Sequence, residues 1–145
     1  MDEEISLKEH LFKGNSNFQT FILDKNNAKL GDALVNFLYS LAKSIVLKRN
    51  TGIKVSDYIL SEAYRNSLWF KEKKLLIRGK KGRRGDIIEA MMLYFWLSIP
   101  DSLEKFVNIL ILELKNKKFE NKNEESINAI EAFTVLLNFF YNYSG

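Results

Sequence analysis

Apolar residues recur at intervals of three and four along most of the chain, and proline is confined to Pro100. That periodicity belongs to amphipathic helices and predicts an all-α fold. Leu30, Leu34, Phe37, Leu38, Leu41 and Ile45 form one stripe. A shorter helix is expected over 55–66 behind a Ser56 or Asp57 cap, with Gly52 punctuating the gap before it. Beyond Pro100, Asp101 and Glu104 have capping-box spacing, and Leu103, Phe106, Val107, Leu110, Ile111 and Leu114 line one face. Ile127, Ile130, Phe133, Leu137 and Phe140 repeat the pattern at the C-terminal end. The Asn/Lys/Glu-rich stretch 116–125 reads as a connector, because the helix beyond it has an apolar face that needs partners. Near the start, Leu7, Leu11 and Phe12 suit a short helix ended by Gly14. No internal repeat interrupts this scheme.

A length of 145 residues fits a single domain over 1–145, large enough to bury roughly two-thirds of the surface of the unfolded chain. The absence of cysteine excludes disulfides, thiolate metal sites and cysteine nucleophiles. The acidic start Met1-Asp2-Glu3-Glu4 lacks the basic region and apolar run of a signal peptide, so a cytoplasmic protein is expected. The longest apolar run, 87–99, is interrupted by Glu89 and falls short of the ~20 residues a membrane span takes, so no membrane partner is expected.

Charge is unevenly placed. Residues 71–84 carry eight cationic side chains against Glu72 alone, a net +7 that leaves −3 for the rest of a chain of net charge +4. Such a block can clamp phosphates and release their counterions, or it can be no more than a solvated loop. It runs directly into Gly85-Asp86-Ile87-Ile88-Glu89-Ala90. A second acid, Asp32, lies in Leu30-Gly31-Asp32-Ala33-Leu34. Carboxylates among so many apolar neighbours are costly to bury unless something positive or hydrogen-bonding meets them. Asp86 and Glu89 are three apart, on one face of a helix, and can converge on a hard cation, with Asp32 arriving from another helix. The competing reading makes Asp86 a helix cap after Gly85, and Glu89 a first-turn acid favoured by the helix dipole.

Other constellations fail. Gly79-x-x-Gly82-x-x-Gly85 has neither dinucleotide-fingerprint nor P-loop spacing. Asp24 to Asp32 starts like a calcium loop but places Lys29 where the turn glycine belongs. His10, the only histidine, excludes a histidine cluster within one chain and reads as a surface residue. Trp69, Phe70, Tyr94, Phe95 and Trp96 read as core or interface rather than as base-stacking groups.

Taken together, the Leu30-Gly31-Asp32-Ala33 and Asp86-Ile87-Ile88-Glu89-Ala90 segments resemble, in order and separation, the two catalytic helices of the ribonuclease III domain. The resemblance covers roughly 26–114, includes Lys54-Val55-Ser56, and is closest to the short, mini-ribonuclease III type without a double-stranded-RNA-binding domain. It implies an all-helical homodimer with two Mg²⁺-dependent sites, Mn²⁺ being the alternative ion, that hydrolyses double-stranded or structured RNA. The products would be staggered 5′-phosphate and 3′-hydroxyl ends. By position, the resemblance makes Asp32, Asp86 and Glu89 the catalytic and metal-binding residues. A-form RNA suits such a shape reader, because its phosphates and 2′-hydroxyls stay accessible while its base edges do not.

One departure stands out. Larger members carry a glutamate one turn before the first aspartate, where this chain has Ala28. Asp24, one further turn back, is a weak substitute. With no separate RNA-binding module expected after Gly145, Lys80, Lys81, Arg83 and Arg84 are the candidate phosphate contacts. Two rivals remain: a catalytically silent relative that only binds RNA, for which Ala28 speaks, and a helical protein-interaction domain in which the acids are mere caps.

Overall fold

The computed structural model describes residues 4–12 and 17–145, and the described residues form eight helices with no strand. The expectations for Gly14 and for Met1, Asp2 and Glu3 fall outside them. The helices are α1 (Leu7–Phe12), α2 (Phe18–Leu23), α3 (Lys25–Leu47), α4 (Asp57–Asn66), α5 (Leu68–Lys71), α6 (Lys81–Ser98), α7 (Ser102–Leu114) and α8 (Lys122–Ser144).

Helix α6 is the centre of the bundle. Every residue from Ile87 to Leu93 is buried, as its nearly continuous apolar sequence requires, and α2, α3, α4 and α7 pack around it. The α3–α6 crossing is close because Gly31 has no side chain: a Cβ there would overlap the backbone carbonyl of Glu89. α7 and α8 complete the core, where the Phe95 and Phe140 rings stack 4.6 Å apart and Trp69 donates from Nε1 to the Leu137 carbonyl over 2.8 Å. The aromatics expected in the core are there, apart from the exposed Phe70 and the half-buried Tyr94 and Trp96, and His10 is exposed as expected.

Several local expectations are corrected. The apolar stripe of α3 is not its core face. Ala28, Gly31, Val35, Leu38, Tyr39 and Ala42 are buried, while Leu30, Phe37 and Ile45 face outward. A long helix with two apolar faces offers two stripes, and only one of them meets the bundle. Asp101 takes a left-handed conformation and makes no side-chain cap; Ser102 instead anchors that turn by donating to the Trp96 carbonyl over 2.6 Å. α8 begins inside the expected connector, because Asn121 caps it by accepting from the Glu124 amide. α3, rather than the run 87–99, is the one helix among the described residues that is long and apolar enough by composition to cross a membrane; its buried face packs on α6 and α7.

Candidate active site

The local chain explains how each acid is held. The segment before α4 lies along α3 through three polar side chains spaced one turn apart. Asn36 Oδ1 accepts from the Val55 amide at 2.7 Å, Ser40 Oγ from Ile53 at 2.8 Å and Ser44 Oγ from Thr51 at 2.9 Å. Ser56 then caps α4, accepting from the Ile59 amide, and the next residue, Asp57, opens the helix beside α6. Asn36 also donates to Asp32 Oδ1 over 3.3 Å, so one amide fixes both the loop and the first acid.

α6 starts at Lys81, five residues before Asp86. Asp86 is therefore no cap and Glu89 no first-turn acid, which removes the reading that treated them as helix-end residues. Both project from the body of α6 into a pocket lined by Lys25, Ala28, Lys29, Asp32, Lys54 and Asp57. Carboxylate oxygens of Asp57, Asp86 and Glu89 lie within 4.8 Å of one another. Asp32 hydrogen-bonds Glu89 and completes a group of four acids from three helices. The structure brings the three acids singled out in the sequence, Asp32, Asp86 and Glu89, together and adds Asp57, which Ser56 disguised as a second cap candidate. Gly85 makes room for Asp57: a Cβ there would stand 2.6 Å from Asp57 Oδ1.

The electrostatics follow from the crowding of four carboxyl groups. Glu89 is 5% exposed, and its carboxyl is pushed up to about 9, first by burial, then by its hydrogen bond to Asp32 and the charges of Asp32, Asp57 and Asp86. At neutral pH it holds a proton and donates to Asp32. Asp57 also moves up, first from partial burial of its carboxyl and then from Asp86 and Asp32, against the pull of Lys54 and Lys81. The cluster of carboxylate oxygens, with Glu89 deprotonated, suits a hard divalent cation such as Mg²⁺ or Mn²⁺. Asp24 plays no part: it caps α3 by accepting from the Asn26 amide at 2.8 Å.

The candidate RNA-binding cations sit next to these acids. Lys80 precedes α6, while Lys81, Arg83 and Arg84 occupy its first turn. Cations there oppose the helix dipole, at roughly 0.3–1 kcal/mol each where exposed. Lys80, Lys81 and Arg83 are exposed. Arg84 is tied inward, donating to Ser61 Oγ and the Gly79 carbonyl, both at 2.6 Å, so it shapes the loop more than it offers a free charge.

No curated protein sequence matches the chain. The family model described as Ribonuclease III matches residues 25–142. That span runs from the first residue of α3 almost to the end of α8 and takes in every helix that supplies an acid, and so the chain belongs to the ribonuclease III family.

Proposed function

We propose that the protein is a metal-dependent endoribonuclease that hydrolyses phosphodiester bonds in double-stranded or structured RNA and acts as a homodimer. The observation that carries this reading is the convergence of Asp32, Asp57, Asp86 and Glu89 in one pocket of a ribonuclease III family chain. Asp57, Asp86 and Glu89 would hold the divalent ion directly and Asp32 directly or through water. When bound, the ion supplies an activated water nucleophile and stabilises the leaving oxygen. Water attacks phosphorus, the P–O3′ bond breaks, and 5′-phosphate and 3′-hydroxyl ends result.

The chain's own groups do the rest. Glu89 would have to give up its proton to hold the ion. Asn36 holds Asp32 in register with it. Gly31 lets α3 approach α6 closely enough for the two carboxyls to meet. Lys80, Lys81 and Arg83 would grip the duplex backbone, a contact that ignores sequence and weakens with salt. Homodimer formation is supported by the outward apolar residues of α3, Leu30, Phe37 and Ile45, on the helix that also carries Asp32.

The test is incubation with a uniform RNA duplex in Mg²⁺ and mapping of the product ends. Staggered cuts with 5′-phosphates are expected, lost in Asp86→Asn and reduced by about 10²-fold or more in Asp57→Asn. Tight, salt-sensitive binding without cutting would instead support the silent RNA-binding relative, the reading favoured by Ala28, which lines the pocket where an acid was expected. Neither binding nor cutting would favour a protein-interaction domain.

A further inference from the structure

The acid pocket also has a basic wall. Lys25 and Lys29 stand one turn apart on α3, on either side of Ala28, and both line the pocket. Both are exposed, and neither forms an ion pair with a described residue. Lys54 joins them from the loop before α4. Its Nζ is 3.6 Å from Asp32 Oδ2, yet its side chain is 76% exposed. Its backbone is pinned on both sides, since the Ile53 and Val55 amides donate to Ser40 and Asn36. Lys54 thus has a fixed base and an exposed head.

Three ammonium groups in a pocket built for a cation would compete with that cation, so their placement calls for an anion that arrives with it. The anion that fits is the phosphodiester to be cut. Resting on the ribonuclease reading above, we propose that Lys25, Lys29 and Lys54 bind the phosphates at the cutting site. Lys25 and Lys29 hold the RNA backbone along the wall where Ala28 leaves no acid. Lys54 releases Asp32 when the ion enters and turns to the phosphate under attack. An ammonium ion on a flexible stem can make this exchange with little cost, because both partners are anionic oxygens at the same pocket edge.

Methionine keeps the apolar stem and removes the charge. In Lys25→Met/Lys29→Met, KM for the duplex is expected to rise about tenfold with Mn²⁺ affinity, measured without RNA, no weaker than in the parent. In Lys54→Met, kcat is expected to fall about tenfold while Mn²⁺ binds more tightly, since a competitor for Asp32 is gone. Tighter Mn²⁺ binding with KM and kcat unchanged would mean that the lysines only shield the acids, and would overturn the proposal. Activity lost in step with Mn²⁺ affinity and melting temperature would overturn it as well, by showing a structural role. If the parent chain cuts and the variants match it, this proposal alone fails. If the parent does not cut, the nuclease reading fails and takes this one with it.

Discussion

At the scale of the residue, two glycines separate folding from function. A methyl at Gly31 would meet backbone, the Glu89 carbonyl, and could be accommodated only by parting α3 from α6. Gly31→Ala is therefore expected to lose about 1–3 kcal/mol, read as a lower denaturant midpoint. A methyl at Gly85 would meet the Asp57 carboxyl, which can swing away, and Asp57 Cβ at 3.0 Å, which need shift by only a few tenths of an ångström. Within a helix, alanine gains about 0.5–1 kcal/mol over glycine, so Gly85→Ala should melt near the parent temperature while binding Mn²⁺ more weakly. Equal losses of stability in the two variants would refute this division. Glu89 adds a pH dependence whose sign is fixed. Its carboxyl keeps a proton up to about 9 in the folded chain but only to about 4.5 when unfolded. Between those values the folded state binds more protons, so the metal-free protein should lose stability as pH rises. An entering ion must displace that proton, so Mn²⁺ affinity should climb by up to about tenfold per pH unit below 9. Titrations at several pH values should show this slope in the parent and a shallower one in Glu89→Gln.

Among the elements, α3 and α8 are joined by a buried ion pair. Lys43 Nζ lies 2.6 Å from both carboxylate oxygens of Glu125 and 4.0 Å from the centre of the Phe119 ring, and Tyr39 donates to the same carboxylate. Burial first, then the Glu125 charge, pushes the Tyr39 phenol upward, so it stays a donor throughout the usable pH range. Removing one partner of a fully buried pair costs about 3–5 kcal/mol; Glu125 keeps partial access to water, so Lys43→Met should cost about 2–3 kcal/mol by chemical denaturation. A cost under ~0.5 kcal/mol would mean the pair behaves as a surface one. This lysine also shows how far the sequence could be read. The helices and the all-α class were legible, because local periodicity encodes them. Nothing in the sequence marks Lys43 as buried, because its partner is 82 residues away. The onset of α6 was equally hidden: no cap residue marks it, and the basic first turn runs against the dipole preference that usually signals a start. Three of the four clustered acids were found because each sits in a recognisable segment. Asp57 was not, since only the packing of α4 on α6 distinguishes it from a cap. The two faces of α3 carry similar periodicity, so pattern alone could not say which one the bundle would cover.

For the whole molecule, that outward face bears on the homodimer proposed above. Phe37, 53% exposed, is a ridge between two hollows: one is lined by Leu11, Leu30, Leu34 and Trp96, the other by Ser40, Leu41 and Ile53. A second copy meeting this face would place Phe37 of each chain in a hollow of the other, the self-complementary arrangement of a two-fold dimer. Asp32 lies on the same helix, two residues from Leu30 and five from Phe37, so such a contact would also bring the two acid pockets near one another. Burying the exposed half of Phe37 contributes about 1 kcal/mol per copy, whereas a glutamate there would place two like charges in an apolar contact. Because Phe37 is outside the core, Phe37→Glu should fold and bind Mn²⁺ as the parent does. It should sediment as a monomer where the parent sediments as a dimer. On an RNA duplex the monomer should nick single strands where the dimer makes paired, staggered cuts. A monomeric parent, or a Phe37→Glu variant that stays dimeric, would remove this face from the assembly. Paired cuts from a monomeric variant would show instead that one acid pocket can serve both strands in turn.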